Sequence, residues 1–323
     1  MSPLAAIALL WTLAGSAATS ERLAQDVALL PGSFVPGSQP DGNTVLIRAP
    51  GGLIVVDTGR HADHTRAILD LASGWRQPVA VVVNTHWHLD HVAGNPAVRR
   101  AHPGLEVVGS DAIEGALKGF LADYRRQLES MLEKAGDPAG RRRWSDEIAR
   151  IDAGRALEPD RKIRGTAILT LAGRSVEIGF APAAVTGGDV WLFDAESGVL
   201  AAGDLVTLPA PLLDTACPSG WKAALARLAE RPFRILVPGH GRPMERAAFE
   251  RWRAGFERLL SCAATDARAS ACIDGWVADL GPVLPEGERP FARELLGYYV
   301  PEVLRAAPAK VARRCEGPAP PSR

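Results

Sequence analysis

Three imidazoles and a carboxylate fall within six residues in the segment Asn84-Thr-His86-Trp-His88-Leu-Asp90-His91. Histidine and aspartate are ordinary protein ligands of zinc and related metals. A lone surface histidine needs no explanation, but four ligand-type side chains packed this closely do. The segment directly follows Val79-Ala-Val-Val-Val83, an apolar run of the kind that forms a strand buried on both faces. A turn at the end of such a strand can aim His86 and His88 to one side and leave Asp90 and His91 to a neighbouring position. Trp87 and Leu89 then read as packing residues between ligands. The chemistry implied is metal binding at a strand end.

The elements that would hold this turn lie on both sides of it. Residues 43–49 and 52–57 read as strands joined by a Pro-Gly-Gly turn. A helix is expected over 64–74, with Ile68, Leu69 and Leu71 at helical spacing, and a short strand over 105–109. From 111 to 165 the pattern is helical and polar, broken at Gly136-Asp-Pro-Ala-Gly140. Strands resume at 167–171, 174–180, 189–193, 199–202 and 234–237, and helices are expected over 246–260 and 291–304. Two groups of strands separated by helices imply an α/β chain with two layered sheets and outer helices. The expected organisation is a single domain over 19–245 with a helical insertion at about 111–165 that could form a wall or lid. A helical extension over 246–317 and a disordered Pro-rich tail over 318–323 would follow.

The histidine-rich segment resembles the His-x-His-x-Asp-His signature of the metallo-β-lactamase-fold hydrolases, and three further pieces arrive in that family's order. Val55-Val-Asp57-Thr-Gly59 looks like its first motif, whose aspartate supports the metal loop. Ala202-Gly-Asp204-Leu resembles the motif whose aspartate bridges two metals, and Val237-Pro-Gly-His240-Gly looks like the last, which supplies a histidine to the second metal. The resemblance covers roughly residues 30–245. It implies an αββα sandwich of two mixed sheets flanked by helices, with the site at the loop edge between them. It also implies a ligand set of His86, His88, Asp90, His91, Asp204 and His240.

One departure matters. The family's third imidazole for the first metal aligns within Ala181-Pro-Ala-Ala-Val185-Thr-Gly-Gly-Asp189, where Val185 stands in its place, and no histidine lies between 103 and 239. Valine has no lone pair. The first position would keep His86, His88 and a bridging Asp204, one ligand short. The second would keep Asp90, His91, His240 and Asp204. The expectation is therefore one tightly held zinc at the second position, with the first weak or empty. The remaining histidines, His61, His64 and His102, read as solvent-facing. Asp189 reads as part of the turn before its strand.

Zinc with an open position lowers the pKa of its water to about 7. The resemblance then implies hydrolysis by metal-held hydroxide at the carbonyl of an ester, thioester, lactone or lactam. Asp90 or Asp204 would orient the water or relay its proton, and an unmetallated His86 or His88 would serve the leaving group. With Asp204 where some lactamase branches carry a cysteine, broad antibiotic hydrolysis is disfavoured against the thioesterase and general hydrolase branches. Overall resemblance also reaches periplasmic branches linked to quinoprotein systems. The alternative is a degenerate member acting as a metal-binding or accessory binding module, for which Val185 is the main support.

The ends and the cysteines speak to compartment. Residues 1–18 form an apolar run closing on small residues, too short for a membrane span and suited to a cleaved signal peptide, although the n-region lacks Lys and Arg. Periplasmic or secreted location follows, with no stable membrane insertion after cleavage. Four cysteines suit a disulfide-permissive compartment. Cys262 and Cys272 close a short loop and are the expected bridge, while Cys217 and Cys315 could pair or stay free. Equal numbers of basic and acidic residues, 37 of each, leave no electrostatic footprint for nucleic acid. The expected partner is a small-molecule substrate, and nothing in the pattern sets an oligomeric state.

Overall fold

The computed structural model of the chain describes residues 20–37 and 39–315. The signal-peptide expectation over 1–18 and the tail over 318–323 lie outside the described residues.

Seven strands form one sheet in chain order: β1 (Glu21–Ala24), β2 (Val27–Leu30), β3 (Thr44–Ala49), β4 (Gly52–Val56), β5 (Val79–Val83), β6 (Glu106–Gly109) and β7 (Arg161–Lys162). Pairing is antiparallel through β4 and parallel from β4 to β7. The apolar run of β5 has the expected cause. Val81 and Val83 face one cluster of buried residues and Val82 faces another, so both sides of the strand are covered. Residues Ile68 and Ala72 of α1 (Ala62–Gly74) and Val98 of α3 (Asn95–Ala101) close the outer face over Leu53, Val55 and Val82.

The second sheet holds β8 (Ala167–Leu171), β9 (Arg174–Ala181), β10 (Asp189–Asp194), β11 (Val199–Thr207) and β12 (Ile235–His240), in the order β12-β11-β10-β9-β8. Only β11 and β12 run parallel within it. Ile54, Val83 and Val108 of the first sheet meet Ile178, Val190, Leu192 and Val237 of the second in one shared core. Outside the second sheet pack α7 (Pro218–Ala229), α8 (Arg246–Ala263), α9 (Ala269–Leu280) and α10 (Arg289–Tyr299). Trp221, Trp252, Phe256 and Trp276 are almost wholly buried there, and side chains of this size contribute roughly 1.5–3 kcal/mol or more each on burial. The layers run helix, sheet, sheet, helix, as the motifs imply.

Between β6 and β7 the chain passes through α4 (Ala112–Lys118), α5 (Phe120–Lys134) and α6 (Pro138–Asp152). Their apolar faces rest on the metal-type loop itself: Ile113, Leu121, Leu128 and Ile151 cluster with Trp87, Leu89 and Val92. Several elements were absent from the expectations, among them β1, β2, β7 and α7. The hairpin β1–β2 and the two-residue β7 are too short to show a hydrophobic period. Helix α7 begins at a proline suited to a first turn. Both cysteine pairs lie at bonding distance, Cys262–Cys272 at 2.01 Å and Cys217–Cys315 at 2.08 Å. The first ties α8 to α9, and the second ties the start of α7 to α11 (Pro308–Cys315).

Candidate metal centre

The loop after β5 is held from below by Asp57, which follows β4 with φ 63°. Its carboxylate accepts from Thr85 N at 2.8 Å and Thr85 Oγ1 at 2.7 Å. The Oδ2 atom also meets His91 Nδ1 at 2.7 Å. That contact fixes the ring with Nε2 facing the site, the usual work of a carboxylate behind a metal-type histidine. His91 lies on the one-turn α2 (Leu89–Val92). Asn43 crosses over to the second sheet, where its amide donates to Pro238 O at 2.9 Å.

Asp204 sits inside β11, where the pairing register with β12 shifts on both sides of Gly203, a residue in left-handed conformation at φ 54°. Such irregularities re-aim side chains at the rim of a sheet. His240 ends β12, beside Asp204. Two glycines permit the approach: a Cβ at Gly42 would strike the His91 ring, and one at Gly239 would strike Asp204 Oδ1.

Four atoms converge: His91 Nε2, Asp90 Oδ2, His240 Nε2 and Asp204 Oδ1. His240 Nε2 lies 3.1 Å from Asp90 Oδ2 and 3.5 Å from Asp204 Oδ1, and His91 Nε2 lies 3.2 Å from Asp204 Oδ1 and 3.6 Å from Asp90 Oδ2. Tetrahedral zinc bonds to nitrogen and oxygen place neighbouring ligand atoms about 3.3–3.5 Å apart. Despite this closeness, His86 Nε2, His91 Nε2, His240 Nε2 and both Asp204 oxygens make no hydrogen bond, although all are buried. Buried polar atoms left unpaired are costly. Lone pairs aimed at a common point, and not at one another, are what a cation would satisfy. The donor set fits a divalent metal.

His86, His91 and Asp204 form one possible metal-holding group, and Asp90, His91 and His240 form another. His88 belongs to neither. Its Nε2 lies 3.1 Å from Thr215 Oγ1, whose own hydrogen goes to Val185 O at 2.8 Å. Thr215 must therefore accept from His88 Nε2–H, which leaves His88 Nδ1 as a bare acceptor. Val185 itself is buried in the apolar cluster beneath the second sheet. Asp189 closes the adjoining turn by accepting from Thr186 N at 2.9 Å, and burial pushes its carboxyl up to about 6.

Electrostatics follow from the same geometry. Burial opposes charge on His91, but Asp204, Asp57 and Asp90 outweigh it and hold its pKa well above the ordinary value. Burial likewise opposes the Asp204 and Asp90 carboxylates, and the facing imidazoles, with Arg60 beside Asp90, carry both well below the usual range. Burial and the nearby His86 pull His88 down to about 3, so it is neutral near pH 7.

One expectation is corrected. His64 is buried, not solvent-facing: it turns inward from the first turn of α1 and its Nε2 meets Thr44 Oγ1 at 2.8 Å. His61 is partly exposed, with Nδ1 2.8 Å from Asp41 Oδ2. Asp41 also accepts from the backbone N–H groups of Arg60 and His61 at 2.7 and 2.8 Å. Burial opposes its charge, yet these bonds bring its pKa down to about 2.

Arg60 and Glu147 escaped the sequence reading. The buried Arg60 guanidinium reaches Asp90 Oδ1 at 3.5 Å through Nη2 and pairs with Glu147 through Nη1. Glu147 comes from α6 and also accepts from Arg150 at 2.9 Å. The helices between β6 and β7 thus hold the far oxygen of Asp90 through one arginine. Arg60 follows Asp57-Thr-Gly59 directly, a signal that could have been used. Glu147 carries none, since it sits in an unremarkable polar run.

Above Asp90 and His88 opens a cavity of about 460 Å³. Its walls include Phe34, Trp87, Phe120, Leu121, Leu212, Phe291 and Leu295, with Arg60, Asp214 and Tyr299 as polar members.

Comparison with known proteins places this geometry. A family model described as the metallo-beta-lactamase superfamily matches residues 38–240. Among solved structures, a metallo-beta-lactamase from Pontibacter korlensis superposes with a TM-score of 0.56 at 20% identity, covering 74% of this chain and 98% of that one. The DIM-1 metallo-beta-lactamase superposes at 0.53 with 17% identity, covering 74% and 96%. These likenesses show the fold. In sequence, a linear primary-alkylsulfatase of Pseudomonas sp. is 24% identical over 218 residues, which is 62% of this chain and 41% of that protein. The chain thus spans about two fifths of the length of that relative.

Proposed function

The chain belongs to the metallo-beta-lactamase superfamily, and from that premise we propose that it is a zinc-dependent hydrolase of a small molecule, cleaving an ester, thioester, lactone or lactam. Members of the superfamily are generally hydrolases. The observation that carries the reading is the convergence of His91, Asp90, Asp204 and His240 atoms beside an open cavity, those of His91, Asp204 and His240 being buried and unpaired. One zinc held by Asp90, His91 and His240, three protein ligands that leave a position open beside Asp204, would supply Lewis acidity and a water of pKa about 7.

The chain's own residues have the following parts. Asp57 orients His91 through its Nδ1. Arg60 keeps Asp90 Oδ1 occupied, so that Oδ2 faces the site. Asp204 Oδ2 faces His86 at 3.5 Å and is the atom placed to take the proton of an attacking water. His88 lines the cavity with Nδ1 free and is placed to accept a hydrogen bond from substrate.

Val185 favours a second reading, a metal-binding module without turnover. The alkylsulfatase relative adds sulfate esters to the substrates worth testing. Export to the periplasm or medium is part of the proposal. The leader-like first 18 residues and two disulfide-distance cysteine pairs support it. Among the described residues no helix is long and apolar enough to cross a membrane.

The test is turnover by the metal-loaded protein on a panel of ester, thioester, lactone, lactam and alkyl sulfate substrates. Activity that disappears with a chelator and returns with zinc is expected. Bound zinc without turnover on any member would favour the binding module.

A further inference from the structure

The cavity over Asp90 and His88 has a composition that restricts what can occupy it. Its apolar wall comes from five separate parts of the chain: Phe34 before β3, Trp87 of the metal-type loop, Phe120 and Leu121 of α5, Leu212 after β11, and Phe291 and Leu295 of α10. The wall is continuous with the metal centre. Phe34 lies 4.8 Å, ring to ring, from His240 and 5.1 Å from Phe291, and Trp87 lies 5.4 Å from Phe120.

Two of the large apolar side chains that stand exposed, Phe120 at 48% and Val35 at 54%, line this same cavity. Apolar side chains left open to water and gathered at one opening mark a binding surface.

The cation of the wall is already matched. Its one arginine, Arg60, is paired with Asp90 and Glu147. Asp214 accepts from Tyr299 Oη at 2.6 Å. Among the described residues no lysine lines the cavity. A substrate carrying a carboxylate away from its scissile bond would lose hydration here and find no free cation.

Resting on the hydrolase reading above, we propose that this cavity binds an uncharged apolar chain or ring attached to the scissile group. The substrate class is then esters or thioesters with a neutral hydrocarbon tail, and not compounds with an acidic one. A cavity of about 460 Å³ lies within the usual range for small-molecule sites, about 300–1,000 Å³.

Two measurements on the full-length protein test this. In the first, binding of 1-butanol, 1-hexanol and 1-octanol is followed by calorimetry, which requires no turnover. Affinity is expected to rise about threefold to fourfold for each added methylene, as burial of that group implies. Phe120→Glu and Leu295→Glu should flatten the rise while metal content stays unchanged. Both positions are at least partly exposed, so folding is not the obstacle. In the second, p-nitrophenyl octanoate is compared with the mono-p-nitrophenyl ester of octanedioate, and the neutral ester should have the higher kcat/KM by about tenfold or more, the cost of one unmatched charge.

Affinity that does not change with chain length, or a rise that survives both substitutions, would overturn the proposal. So would equal rates on the neutral and acidic esters. A chain-length rise in binding with no member of the ester, thioester, lactone, lactam and alkyl sulfate panel cleaved would sink the hydrolase reading and leave the pocket assignment standing.

Discussion

The two sides of the metal centre solve different problems. On the His240 side, four donor atoms converge with imidazole–carboxylate separations of 3.1–3.6 Å, and those of His91, His240 and Asp204 are buried and form no hydrogen bonds. On the Val185 side, one expected donor is a hydrocarbon in the core, and His88 is already bonded to Thr215. Unpaired lone pairs in a dry site are tolerable only if something else satisfies them, and His86 Nε2 and Asp204 Oδ2 are unpaired on the Val185 side as well, where one expected donor fewer faces them. The difference teaches that a hydrocarbon can stand where a donor is expected without disturbing the fold around it.

The strongest way to break the contrast is to remove a donor from the fuller side. His240→Ala should strip the metal to background, read as metal content after dialysis, while far-ultraviolet circular dichroism stays native. If His240→Ala kept its metal, the His240 side would not be the holding position.

Next in size is the support behind Asp90. Glu147→Ala leaves Arg60 buried with Asp90 alone at 3.5 Å, and breaking a buried pair in this way costs about 3–5 kcal/mol. Urea denaturation should show that loss. No change would mean that α6 does not brace the site.

A smaller effect is expected behind His91. Asp57→Asn removes the charge that orients its ring, and outer partners of this kind are worth about 10–100-fold in metal affinity. Competition with a chelator of known affinity checks this. An unchanged affinity would place the orientation of His91 elsewhere.

The smallest change lies away from the donors, at Asp41, whose pKa is down at about 2. A carboxyl with a depressed folded pKa adds stability above its unfolded pKa and loses it as pH falls through the folded one. Against the ordinary value of about 3.8, that is about 2 kcal/mol at most. Asp41→Asn should be less stable by that amount near pH 7, and the gap should close between about pH 4 and pH 2. A gap independent of pH would show that the loss is one of packing.

Much of the centre was legible because its donors are close in sequence and each follows an apolar strand. His86, His88, Asp90 and His91 occupy one loop, Asp204 follows an apolar run within β11, and His240 ends β12. What lay hidden was long-range. Arg60 and Glu147 are 87 residues apart and meet only because α6 folds back over the first sheet. His64 stands at a helix start, where spacing alone cannot tell that Thr44 awaits its ring on the inner side. The cavity wall is built from segments on either side of the motif-bearing strands, none of which has meaning alone. The strands β1 and β2 have four residues each, too few to show alternation.

Metal content settles the contrast most directly. Inductively coupled plasma mass spectrometry on the purified protein and on Val185→His should give one equivalent per chain for the first and two for the second. The histidine would carry an overpacking cost of about 1–3 kcal/mol. Two equivalents in the unsubstituted protein would contradict the reading of Val185 as a missing ligand.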